Sequence, residues 1–148
     1  MSAKKILFAT DFSENSVRAG EWVLDYSKEV GAEIVILHVI DSWAGIPAYT
    51  QGVPIDVQHM IRSMEESTKA ELERVAKDFE AKGVKVATCY STGVPAEEIV
   101  QTAIDEDADL IAMGTHGWGA AAHMLLGSVA EKVLRSAKCP VLVARPVT

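Results

Sequence analysis

Gly114-Thr115-His116-Gly117 follows directly on an apolar run of strand length. Nine residues intervene before Gly127-Ser128 opens a run with helical periodicity. The spacing is G-x2-G-x9-G-[ST], and its chemistry is anion binding. Glycines let a backbone approach a ligand closely, N–H groups and the positive dipole end at a helix start attract an anion, and Ser128 adds a hydroxyl donor. Two glycines alone are explained by turns; four features in register point to phosphate. Other phosphate motifs fit worse. There is no GxxxxGK[ST], and the turn at Asp11 to Ser13 carries no glycine. Gly117-Trp118-Gly119-Ala120-Ala121-Ala122 matches G-x-G-x-x-A but lacks a ribose-binding acid at the end of a following strand, so the match is accidental.

The elements that must position this segment alternate between two periodicities. Lys5 to Thr10 (KILFAT) reads as strand one, and Ser13 as the cap of a helix whose face is Ala19, Trp22, Val23, Tyr26 and Val30, with Gly31 as its stop. Glu33 to Val39 is almost uniformly apolar, as a strand covered on both faces should be. A Gly- and Pro-containing loop, Asp41 to Pro54, precedes a long helix marked by Val57, Met60, Ile61, Met64, Thr68, Leu72, Val75 and Phe79, ending at Gly83. Val84 to Ser91 reads as strand three, and Pro95 starts a helix carrying Ile99, Val100, Ala103 and Ile104. Asp109 to Met113 is strand four, Val129, Ala130, Val133, Leu134 and Ala137 mark helix four, and Val141 to Ala144 is strand five. This alternation predicts an α/β fold, a three-layer doubly wound five-stranded parallel sheet. Ligands in such sheets sit beyond the carboxyl ends of the strands, where the winding reverses. That singles out Asp11, Val39 to Asp41, and Gly114 onward.

Composition narrows the partners. The 148 residues suit one domain with a real core, and the net charge of −7, with Lys and Arg scattered, would repel a nucleic-acid backbone. No apolar run approaches the roughly 18 residues of a membrane span, and the start has no convincing secretory leader. The chain is expected to be cytoplasmic. Cys89 and Cys139 form no CxxC and pair with no histidine at metal spacing, so both are expected to be buried reduced thiols.

KILFATDFS, DLIAMGTHG, LLGSVAEKVL and CPVLVARP together span the chain, which in this combination resembles the universal stress protein family. The resemblance implies the strand order 3-2-1-4-5 and an adenine nucleotide alpha hydrolase-like fold, with residues 1–148 as a single such domain. ATP-binding members of the family carry the same glycine spacing. By resemblance, Asp11 would accept hydrogen bonds from a ribose, Val39 would meet adenine through its backbone, and Thr10 with Met113 would line the base pocket. Gly114, Gly117, Gly127, Ser128 and the Val129 N–H would take the phosphates of ATP, or of ADP or AMP, with Mg²⁺ on the polyphosphate. Asp11 has an alternative role as a cap of helix one, and His116 is either a phosphate contact or an ordinary turn residue. Where ATP-binding members commonly carry basic residues in the insert, this chain has Trp118 and His123. The family also dimerises through the strand corresponding to Val141 to Ala144. No catalytic constellation and no protein metal ligand set is visible. The reading is therefore a nucleotide-binding regulator. The alternatives are a slow ATP hydrolase using Asp11 or His116 with Ser128, and a nucleotide-free dimeric interaction module.

Overall fold

The computed structural model describes residues 2–41, 56–115 and 126–145. In chain order the elements are β1 (Lys5–Ala9), α1 (Glu14–Val30), β2 (Glu33–Asp41), α2 (Val57–Ala81), β3 (Val86–Gly93), α3 (Pro95–Asp105), β4 (Leu110–Gly114), α4 (Ser128–Ser136) and β5 (Val141–Ala144). All strand pairs are parallel, and the sheet order is β3-β2-β1-β4-β5. The expected order is therefore the observed one.

Alternation along the strands builds two cores. Ile6, Phe8, Ile34 and Ile36 face Ala19, Val23 and Leu24 of α1 and Leu72, Ala76 and Phe79 of α2. Leu7, Ala9, Val35, Leu37, Ile111 and Met113 face Ala96, Ile99 and Ala103 of α3 and Ala130 and Val133 of α4. Because β1 and β2 are covered on both sides, the positions between their ends are apolar, with His38 of β2 the exception. Gly20 brings α1 close to β1: a Cβ there would stand 3.0 Å from Phe8 Cζ. The Phe8 ring in turn lies nearly parallel to that of Phe79, with centroids 6.1 Å apart.

The helix ends follow local chemistry. Ser13 caps α1, its hydroxyl accepting from the Ser16 N–H at 3.3 Å. Gly31, with φ +73°, closes α1 by donating its N–H to the Ser27 carbonyl at 2.8 Å. Pro95 occupies the first turn of α3. At the amino ends of the strands, Asp109 accepts from the Lys4 and Lys5 N–H groups at 2.8 and 2.9 Å, which holds its carboxyl below the usual range.

Several expectations need correction. Strand three runs from Val86 to Gly93, two residues later than expected. Val84 is buried but belongs to the turn closing α2, where its N–H meets the Phe79 carbonyl. Trp22 is 64% exposed, because the face of α1 against the sheet is a narrow stripe of Ser16, Ala19, Gly20, Val23, Leu24 and Ser27. Val57, Ile61, Ile104 and Leu134 are likewise exposed flank positions. Cys89 and Cys139 are free but only half-buried, and burial pushes both thiols up. Among the described residues no helix is long and apolar enough to cross a membrane.

Candidate functional site

A crevice of about 910 Å³ opens over the carboxyl ends of β1, β2 and β4, where the winding of the sheet reverses. Thr10, Asp11, Val39, Met113, Gly114, Gly127, Ser128 and Val129 all line it. Gly117 lies outside the described residues, as do His116, Trp118 and His123. The turn after β1 builds one wall, and the end of β4 with the start of α4 builds another.

The turn after β1 is tightly folded. The Thr10 N–H donates to the Leu37 carbonyl at 2.9 Å, and the Thr10 hydroxyl oxygen accepts from the Phe12 N–H at 3.0 Å. Phe12 has φ +63°, a left-handed conformation that costs a bulky residue about 1–3 kcal/mol. Asp11 stands between them. Its Oδ1 accepts from the Ser13 N–H at 2.9 Å and from the Ser16 hydroxyl at 2.7 Å, while its own N–H donates to Ser16 Oγ at 3.2 Å. Ser13 is thus the cap of α1, and the Asp11 carboxylate braces that cap from outside the helix. The same carboxylate lines the crevice.

Among the described residues, backbone bonds tie the end of β4 to β5 and to the start of α4. The Thr115 N–H donates to the Ala144 carbonyl at 3.1 Å, and the Gly127 N–H donates to the Thr115 carbonyl at 2.7 Å. Gly127 is the N-cap of α4 and has no side chain to offer, so α4 lacks the N-cap hydroxyl that Ser13 gives α1. The first-turn N–H groups of Ser128, Val129 and Ala130 have no intrahelical acceptor, and these residues border the crevice. With the helix dipole they form an anion-seeking corner. Ala9, Leu37, Val39 and Met113 give the crevice an apolar floor able to take an aromatic base.

The two described glycines of the motif have different reasons to be glycine. At Gly114 a Cβ would stand 3.1 Å from the Asn15 backbone, so glycine is required for α1 to approach β4. At Gly127 the backbone is ordinary extended chain, φ −74° and ψ 162°, which any residue adopts. Room beside the crevice, not backbone strain, is what a side chain there would remove.

Sequence reasoning missed a third wall. Ser63, Met64, Ser67, Thr68 and Glu71 of α2 overlook the crevice, as does His38 of β2. The serines recur four residues apart beside the apolar face, and His38 is the one polar residue inside ILHVI. Both signals were present in the sequence. Among the described residues no group of three or more His, Cys, Asp or Glu side chains could hold a metal ion.

A model of the universal stress protein family matches residues 2–145. Universal stress protein MJ0531 of Methanocaldococcus jannaschii is 41% identical over 144 residues, covering 96% of this chain and 82% of that protein. The solved structure of MJ0577, from the same organism, is 35% identical, superposes with a TM-score of 0.87, and covers 100% of this chain and 99% of its own. More distant structures share the fold: a universal stress protein in complex with cAMP (23% identity, TM-score 0.70, 98% of each chain) and one from Archaeoglobus fulgidus in complex with dAMP (20%, 0.67, 97% and 99%). Sheet order, whole-length similarity and the family match agree: the chain belongs to the universal stress protein family.

Proposed function

We propose that this protein binds an adenine nucleotide, ATP or its lower phosphates ADP and AMP, in the crevice, and that occupancy sets conformation or partner choice rather than driving turnover. One observation carries the reading. An acceptor, Asp11, and an uncapped helix terminus bearing Ser128 converge on one apolar-floored crevice at the reversal of the sheet. Asp11 is assigned to the ribose, Thr10, Val39 and Met113 to the base, and Gly114, Gly117, Gly127, Ser128 and Val129 to the phosphates. Mg²⁺, when bound, would sit on the polyphosphate and neutralise part of its charge. The insert from Trp118 to Leu126 supplies no Lys or Arg for that purpose. Distant proteins of the same fold are complexes with cAMP and dAMP, which supports the ligand class. The direct test is mass spectrometry of small molecules released from denatured purified protein, followed by calorimetry with ATP, ADP and AMP. No adenine compound released and no heat on titration would end the reading.

Asp11→Ala should weaken ATP, ADP and AMP alike, by about 10- to 100-fold, because the ribose is common to all three and a charge-assisted hydrogen bond is worth roughly 1.5–3 kcal/mol. The brace on α1 is lost as well, so thermal melts must accompany the titrations. An effect confined to ATP would instead place Asp11 at the metal or the phosphates.

The second part of the proposal is a homodimer in the cytoplasm, with neither nucleic acid nor membrane as a partner. Strand order leaves β5 at a sheet edge, and its residues Val141 to Ala144 are all half-buried. Exposed apolar edges need cover. Sedimentation should give a dimer that Val143→Lys converts to a folded monomer. A parent protein that is monomeric at every concentration would refute the dimer.

A further inference from the structure

His38 reaches across from β2 to the turn that carries Asp11. Its Nδ1 lies 2.8 Å from the Thr10 carbonyl oxygen. A carbonyl only accepts, so Nδ1 carries the proton and donates it. The same ring stacks on Phe12, with centroids 4.7 Å apart and planes inclined by 27°. One side chain therefore grips the residue before Asp11 through a hydrogen bond and the residue after it through a ring contact. Phe12 is the residue whose backbone sits at φ +63°, a conformation that persists only where its surroundings enforce it. On the other side, Asp11 is tied to Ser13 and Ser16 of the α1 start. The turn is thus clamped between β2 and α1, with Asp11 at the middle.

The geometry points to His38 as the positioning residue of the site: by holding Thr10 and Phe12 it sets where the Asp11 carboxylate meets the ligand's ribose. Its role is specific to the ribose end of the crevice, because the phosphate corner is built on α4. The assignment to a ribose rests on the nucleotide reading, whereas the clamp itself is tested without nucleotide.

The experiment compares His38→Ala, His38→Asn and His38→Phe. Asn keeps a donor near the Nδ1 position and loses the ring, whereas Phe keeps the ring and loses the donor. Amide hydrogen exchange at Phe12 and Ser13, which donate to Thr10 and Asp11 side chains, reads the turn directly. It should quicken by at least about tenfold in His38→Ala, with the Asn and Phe variants falling between Ala and the parent. ATP and AMP affinities should both fall by about tenfold in His38→Ala. In an Asp11→Ala background the same change should cost less than about twofold, since residues acting through one another are not additive.

Unchanged exchange at Phe12 and Ser13 overturns the proposal. Equal losses of affinity in both backgrounds overturn it too, because His38 would then act on the ligand independently of Asp11. A parent protein with no affinity for any adenine nucleotide defeats the nucleotide reading instead, and the exchange measurement still decides whether His38 holds the turn. If His38→Ala fails to fold, the Asn and Phe variants, each keeping half of the interaction, carry the same comparisons.

Discussion

On the nucleotide reading, Gly127→Val is expected to abolish nucleotide binding and to leave the fold intact. The new isopropyl group would stand at the N-cap of α4, beside the N–H groups of Ser128, Val129 and Ala130 that border the crevice. Blocking two charge-assisted hydrogen bonds to phosphate removes about 3–6 kcal/mol, a loss of more than about a hundredfold in affinity. The backbone itself has no objection to valine, because φ −74° and ψ 162° are ordinary extended values. The N–H that donates to the Thr115 carbonyl also survives the change. Stability should fall only by about 1 kcal/mol, the usual difference between a good and a poor N-cap residue. Calorimetry with ATP and a circular-dichroism melt on the same sample separate the two effects. Gly127→Ser sharpens the comparison, since its hydroxyl would cap α4, raise the melting temperature and compete with the phosphate. If Gly127→Val binds ATP like the parent, the phosphates lie elsewhere.

The largest loss of stability is expected from Phe8→Ala, about 3–5 kcal/mol. Phe8 is 2% exposed at the centre of β1, packed on the Phe79 ring and close under Gly20 of α1. Glycine there lets the helix settle on the ring, so truncating the ring leaves a void that neither the helix backbone nor the sheet can readily fill. For a chain of this length the melting temperature should drop by roughly 10 °C. Phe8→Leu, which keeps most of the volume, should cost less than half as much. Differential scanning calorimetry decides, and a shift below about 2 °C for the alanine variant would mean that the ring is not the keystone of this core.

The elements that proved legible in the sequence were those whose environment is symmetric. β1 and β2 are covered on both faces, so their almost uniform apolarity marked them, and the alternation of helices and strands marked a parallel sheet, whereas its order 3-2-1-4-5 was legible only through the family resemblance. β3 was misplaced by two residues because Val84 is buried without being in the sheet, and apolarity alone does not separate a strand from the turn that seals a helix. Trp22 failed for a related reason. Helical periodicity identifies a broad stripe, but small residues such as Ala19 and Gly20 narrow the part that touches the sheet and leave a large neighbour outside.

The candidate site shows the same division. Gly127, Ser128 and Asp11 stood out because chain ends of helices and strands have local signatures. Gly114 was legible as a glycine but not for its reason, which is the Asn15 backbone of a helix far away in sequence. His38, Ser63 and Ser67 were visible as polar residues in or beside apolar patterns, yet only packing reveals that they overlook one crevice. Which face of a helix overhangs a site is a tertiary fact.

The bond from the Gly127 N–H to the Thr115 carbonyl has a bearing on how such a protein diversifies. It pins together the two ends of the tract between those residues, and Thr115 is itself moored to Ala144. A tract whose ends are already joined can lengthen at small cost, because the entropy of closing a loop grows only logarithmically and doubling its length costs about 0.6 kcal/mol. The entropy of closing the chain between these two residues therefore sets little limit on its length.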